Sequence, residues 1–198
     1  MGHQERKIRD KENLRNAMLE AAIGIAEKEG WHALTIRKIA DAIEYTAPIV
    51  YEHFENKEEL ITEIIHNGYN TLFKEYQSVF ELNLEPKETL LEISLRHWDF
   101  AFSNKVLYQL MFSLERRKPG DEVIKGMTAI KDIFVKITQK EGCDLIPLIF
   151  NWICLMSGTI SAIMMFEGHP NPHQKDMHFE PRDMYKSFIE RFLNSITL

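Results

Sequence analysis

The stretch TIRKIADAIEYTAPIVYEHFENKEEL, residues 35–60, decides the fold of this chain. Ile36, Ile39, Ala40 and Ile43 recur at helical spacing after Thr35, whose hydroxyl can cap the free amides of a first turn. A second short helix can start at Thr46, with Pro48 in its first turn, where a missing amide hydrogen costs no internal bond. Val50 and Phe54 would face its core, and Asn56 to Glu59 restarts the chain with a capping-box-like Asn-x-x-Glu. Two short helices hinged at Tyr45 have the layout of a helix-turn-helix, whose second helix lies in the major groove of DNA. Charge opposes that reading: three basic residues (Arg37, Lys38, Lys57) stand against six acidic ones (Asp41, Glu44, Glu52, Glu55, Glu58, Glu59).

Outward from this stretch the periodicity stays helical. Leu14, Ala17, Met18, Ala21, Ala22, Ile25 and Ala26 form one stripe over residues 13–29, closed by Gly30. A long helix is expected after Asn56, then helices near 86–103, 106–117, 120–140, 145–167 and 182–196, punctuated by Pro86, Pro119, Gly142 and Gly168. No segment alternates as a strand does, and there is no P-loop, GxGxxG or internal repeat. The expected fold is all-α, with about nine helices, divided into a helix-turn-helix domain over 1–56 with a basic arm and a larger helical domain over 57–198.

Composition narrows the function classes. The 198 residues are 44% hydrophobic, enough for a sizeable core, and the net charge of −6 argues against a protein that coats nucleic acid or anionic membrane over its whole surface. Cys143 and Cys154 lack CxxC spacing and read as free thiols in a reducing compartment. The charged start MGHQERKIRDKENLR has no apolar core of a signal peptide, so the cytoplasm is the expected location. Residues 145–166, LIPLIFNWICLMSGTISAIMMF, are long and apolar enough for a membrane span. Interior Asn151, Ser157, Thr159 and Ser161, Pro147 near the start, and the lack of a Lys/Arg flank favour a helix buried in protein. His169, His173 and His178 lie in a Pro/Asn/Gln loop without the rigid spacing of a metal site, so no metal and no cofactor are expected.

The order Thr35-x-Arg37-x-Ile39-Ala40, Tyr51-x-His53-Phe54 and Lys57-x-x-Leu60 resembles the DNA-binding domain of the TetR family of bacterial repressors. That resemblance implies an N-terminal three-helix DNA-binding unit, a divergent helical effector domain, and a homodimer that leaves its operator when a small molecule binds. Carried over, Thr35 and Arg37 are implied phosphate contacts, Thr46 opens the recognition helix, and Ala47, Pro48 and Ile49 face bases, where small apolar groups pack on thymine methyls. Tyr51 and His53 are implied to reach the DNA backbone. Lys57 stands at the next helix N-terminus, where free amides also favour phosphate. The arm adds Arg6, Lys7, Arg9, Lys11 and Arg15 against Glu5, Asp10 and Glu12. Two departures stand out. Glu44-Tyr45 replaces the family's usual Gly-Val, which forces a non-glycine residue toward positive φ, and Glu52 puts a carboxylate on the recognition helix.

Residues 97–112 resemble a C-terminal domain type found in part of the same family. His97, Trp98, Phe102, Tyr108, Met111 and Phe112, with Phe73, Tyr76, Phe134, Asn151, Trp152 and Met156, are the expected lining of an apolar pocket for a small lipophilic effector. Helices 145–167 and 182–196, apolar with small Ser157, Gly158, Ser161 and Ala162, are the expected four-helix dimer interface, with no membrane involved. The competing readings are a small all-helical enzyme and a membrane-associated regulator. Against the enzyme, His97 and Asp99, two apart on a helix, point in different directions, and no nucleophile or ligand set completes a site.

Overall fold

A computed structural model describes residues 2–113, 120–167 and 180–196. Among them there are nine α-helices and no strand: α1 (His3–Glu29), α2 (Ile36–Ala42), α3 (Ala47–Tyr51), α4 (Lys57–Phe80), α5 (Pro86–Ser103), α6 (Lys105–Met111), α7 (Asp121–Thr138), α8 (Ile146–Phe166) and α9 (Pro181–Ile196). Short 3₁₀ turns at Trp31–Ala33 and Gly142–Leu145 precede α2 and α8. The expected helices are present, and α5 has the bounds its punctuation implies. The loop with His169, His173 and His178 lies outside the described residues.

Two packed units emerge. The first takes the described residues through Gly68 together with Lys105–Ser113, and the second takes Tyr69–Asn104 with the described residues beyond 120. Packing therefore divides the chain after Gly68 and returns α6 to the first unit, whereas the domain organisation expected from sequence breaks at 56/57. Trp31 shows why α6 belongs there: its indole N–H donates to the Val106 carbonyl at 2.9 Å. Met111 also lies against Gly68, where an added side chain would collide with its sulfur.

In the first unit, Met18, Ala22, Leu34, Ile39, Val50, Phe54, Leu60 and Ile64 form a core between α1, α2, α3 and the start of α4. Gly30, at φ 81°, ends α1. α1 itself begins at His3, so the basic arm is three further turns of helix. Its Glu5 and Arg9 stand at the favourable i,i+4 spacing, and the Glu5 carboxylate accepts from the Gly2 amide at 2.9 Å. α4 opens as the sequence implies: the Glu59 amide donates to Asn56 Oδ1 at 2.8 Å, while the Glu59 carboxylate takes the Glu55 amide at 2.6 Å.

In the second unit, α5 packs on α7, α8 and α9. Ser94 is its buried hub. The Trp152 indole of α8 donates to Ser94 Oγ at 3.0 Å, the Tyr185 hydroxyl of α9 donates to the Ser94 carbonyl at 2.8 Å, and Ser94 Oγ donates to the Leu90 carbonyl at 2.7 Å. Satisfied inside an apolar core, these bonds fix which faces of three helices meet. At the rim, Arg182 of α9 forks onto Asp99 of α5 at 3.0 and 3.1 Å.

Gly142–Phe166 is long and apolar enough to cross a membrane, and only 17% of its most apolar window is buried within the chain. The expectation of a helix buried in protein is thus met on one face only. Trp152, Met156 and Ile160 turn inward, while Phe150 (64% exposed), Met165 (68%) and Phe166 (67%) face out. Cys143 and Cys154 are free and exposed.

The turn between α2 and α3 carries the strain that its residues imply. Glu44 sits at φ 61°, in the left-handed region that favours glycine, and the Tyr45 amide closes the turn on the Ala40 carbonyl at 2.9 Å. Glu44→Gly is therefore expected to stabilise the protein by about 1 kcal/mol, less the extra freedom glycine gives the unfolded chain. Urea denaturation of the two proteins measures it.

Candidate nucleic-acid interface and ligand cleft

Local sequence sets the outer face of the helix-turn-helix. Thr35 caps α2, its Oγ1 accepting the Lys38 amide at 3.2 Å. Because Ile36, Ile39 and Ala40 turn inward, Arg37 is left in solvent. α3 has five residues, of which Val50 is the buried anchor. Thr46, Pro48, Tyr51 and Glu52 are exposed, Ala47 and Ile49 are half-buried, and Tyr51 is 55% exposed. Thr46 precedes α3 as its N-cap, yet its hydroxyl makes no capping bond. The candidate contact residues of α2 and α3 thus share one unit and are mostly solvent-facing.

Arg15 and Lys57 have other employment, and His53 is held neutral. Arg15 is not a free arm charge: its Nε donates to the Glu63 carboxylate at 2.8 Å, its guanidinium pairs with Glu63 and with the His53 carbonyl, and it lies 4.1 Å from the Phe54 ring centroid. It ties α1 and α4 to the residues that follow α3. His53 is half-buried, and its Nδ1 has no partner among the described residues. Burial, with the charges of Lys11 and Arg15 adding to it, holds its imidazole below the usual pKa and so in the neutral form. Lys57, first residue of α4, points its ammonium at the Trp31 carbonyl 3.5 Å away.

The acid excess is also partly consumed. Glu58 and Glu59 lie in the first turn of α4, where the helix dipole favours them, whereas Glu29, outside the stretch, takes up its Lys38 at 2.5 Å. Asp41, Glu44, Glu52 and Glu55 remain exposed.

The second unit holds a cleft of about 530 Å³ between α4 and α7. Asn70, Phe73, Lys74, Tyr76, Gln77 and Phe80 form one wall, and Asp121, Lys125, Gly126 and Ala129 the other. Of the twelve lining residues expected from sequence, Phe73 and Tyr76 belong to it. Behind them, the Tyr76 hydroxyl and His97 Nδ1 are 2.5 Å apart in a buried pair. Phe73 meets the Tyr76 ring edge-on at 5.2 Å.

The other expected lining residues lie elsewhere. Trp98 stacks on Phe102 at 4.1 Å and leans on Tyr185, packing α5 against α9. Phe134 meets Trp152 edge-on at 5.9 Å, and Met156 is buried with them. Asn151 faces outward on α8, because the next residue, Trp152, is the one that turns to the core. Tyr108, Met111 and Phe112 belong to the first unit, where Tyr108 stacks on Phe112 at 4.4 Å. The wall residues that aromatic content did not reveal follow from position: Asn70, Lys74 and Gln77 share the α4 face of Phe73, and Asp121, Lys125 and Ala129 recur every fourth residue on α7. No group of three metal-ligating side chains occurs among the described residues.

Full burial pushes His97 down from 6.5 to about 3, so the folded chain keeps it neutral while the unfolded chain protonates it below 6.5. Its contribution is complete above pH 6.5 and lost as pH falls toward 3, at most about 1.4 kcal/mol per pH unit. His97→Gln is expected to flatten the acid side of the stability profile between pH 6.5 and 5; equal slopes in urea denaturation would show that His97 titrates alike in both states.

Residues 18–64 match the profile of the bacterial regulatory proteins of the tetR family. Over 102 residues the chain is 29% identical to the HTH-type transcriptional repressor KstR2 of Rhodococcus jostii (strain RHA1), a stretch covering 50% of each. The chain spans about half the length of the curated relatives it matches. The fold is shared with a protein of unknown function from Rhodococcus sp. RHA1, at TM-score 0.70 and 17% identity over 93% of this chain and 96% of that one. It is shared too with the transcriptional regulator FadR of Bacillus subtilis, solved in complex with stearoyl-CoA, at TM-score 0.67 and 18% identity over 91% and 98%.

Proposed function

We propose that the chain is a member of the tetR family of bacterial regulatory proteins, whose profile residues 18–64 match, and that it is a ligand-responsive transcriptional repressor, not an enzyme. In this reading it acts in the cytoplasm, holds a palindromic operator as a homodimer and leaves it when a small lipophilic effector binds. The observation that carries the reading is the outer face of α2 and α3, where Thr35, Arg37, Thr46, Pro48 and Tyr51 stand in solvent within the stretch that matches the family. Arg37 and Thr35 serve phosphates, Ala47, Pro48 and Ile49 face bases, and Tyr51, His53 and Lys57 position the unit on the backbone. His53 contributes as a neutral group, so the cations of this surface are Arg37, Lys57 and those on the first turns of α1.

Coupling follows from the course of the chain. It passes between the two packed units at 68/69 and 104/105, and returns to the second beyond Ser113. An effector held in the second unit acts on the first through α4 and through the α5–α6 joint, and the coupling equals its differential affinity for the operator-bound and released conformers. The lipophilic class is supported by the ring-lined cleft and by the stearoyl-CoA bound to the FadR relative.

The partner for the exposed face of α8 is a second copy of the chain. Phe150, Met165 and Phe166 form its apolar part, with Phe188 of α9, and exposed Cys154, Gly158, Ser161 and Ala162 permit close helix approach. Phe150→Glu is expected to turn the dimer into a monomer in sedimentation equilibrium. Recovery of the unaltered protein in the membrane fraction would support an anchor role for α8 instead.

Gel shift with the DNA upstream of the protein's own gene tests the rest. Arg37→Ala is expected to weaken binding and lower the salt slope by about one. Tyr51→Ala is expected to weaken binding with no loss of thermal stability, since its ring is exposed. No preference for that DNA over a scrambled duplex would sink the repressor reading.

A further inference from the structure

We infer that the α4–α7 cleft takes an anionic amphiphile, its negative group held between Lys74 and Lys125 and its apolar part on the rings of Phe73 and Tyr76. This rests on the reading of the second unit as the effector-binding one and names the class of effector. Lys74 and Lys125 come from different helices and face one cleft. Both are exposed, and an anion gives each a charge-assisted hydrogen bond that a wholly apolar ligand does not. Asp121 is on the same wall, but as the first residue of α7 it stands at the free amides of that helix end, which its carboxylate favours locally. Among the described lining residues two cations stand against one carboxylate.

Its apolar floor depends on Gly126. The Phe73 ring occupies the place where any side chain at 126 would begin, so no other residue leaves that ring where it lies. At about 530 Å³ the cleft lies within the roughly 300–1,000 Å³ of small-molecule sites, more than a head group alone would fill. A free fatty acid and an acyl thioester of a nucleotide carrier share the required chemistry, one supplying a carboxylate and the other phosphates.

Isothermal titration of the full chain, without DNA, with stearate, stearoyl-CoA, methyl stearate and coenzyme A alone tests this. Stearate or stearoyl-CoA is expected to bind at least about tenfold more tightly than methyl stearate. Which of the two binds identifies the source. The double substitution K74Q/K125Q is expected to weaken the anionic ligand about tenfold and to flatten its salt dependence. Asp121→Asn, which removes the opposing charge, is expected to strengthen it. Gly126→Ala adds helix propensity, drives Phe73 into the cleft and weakens every acyl ligand. Methyl stearate binding as tightly as the anions, coenzyme A binding as tightly as its stearoyl ester, indifference to K74Q/K125Q, or no binding of either anionic probe would overturn the inference. Anion binding that leaves the protein on its operator would refute the regulatory reading and spare this one; operator release by an uncharged lipid alone would do the reverse.

Discussion

A single helix, α4, supplies side chains to both packed units, and its register decides what each receives. Asn56 and Glu59 fix its first turn. From that start, Leu60 and Ile64 fall into the core of the first unit, and Glu63 falls where Arg15 can reach it. Further along, Phe73, Lys74 and Gln77 reach the cleft wall, and Tyr76 reaches His97. The capping turn thus fixes where α4 begins.

Much of the fold could be read from the residues because its signals are local. Caps at Thr35 and Asn56, Pro48 and Pro86 in first turns, and Gly30 past a helix end act over three or four residues, and the helices begin and stop where these residues say. The strain at Glu44 was equally legible, since a non-glycine residue in that turn has few conformations open to it. The helix-turn-helix surface followed as well, because buried Ile39 and Val50 dictate by periodicity which neighbours face out.

What was not legible depended on partners distant in sequence. Arg15 reads as one more arm charge until Glu63, 48 residues away, is placed beside it. Aromatic stripes do not distinguish a lining from a core: Trp98 buries its ring against Tyr185, and Phe134 and Trp152 bury theirs against each other, while the cleft takes polar residues that no apolar pattern marks. Asn151 reads as an interior polar group only if α8 is covered on all sides within one chain, and it is not. The acid excess is accounted for in part: Glu58 and Glu59 serve the first turn of α4, while Asp41, Glu44, Glu52 and Glu55 stay exposed.

The return of α6 to the first unit bears on how such proteins can be recombined. Residues 1–68 in isolation lack the Val106 carbonyl that receives the Trp31 indole and the Met111 side chain that lies on Gly68. A cut at one seam would leave that indole N–H without its acceptor and open apolar surface on α1. A chimera that trades recognition specificity between relatives must therefore carry two separate stretches of sequence, the leading 68 residues and the α6 segment, or accept a graft whose core is missing a wall. The unit of exchange is discontinuous, and a shuffled gene built on a single crossover would be expected to yield insoluble protein more often than altered operator choice.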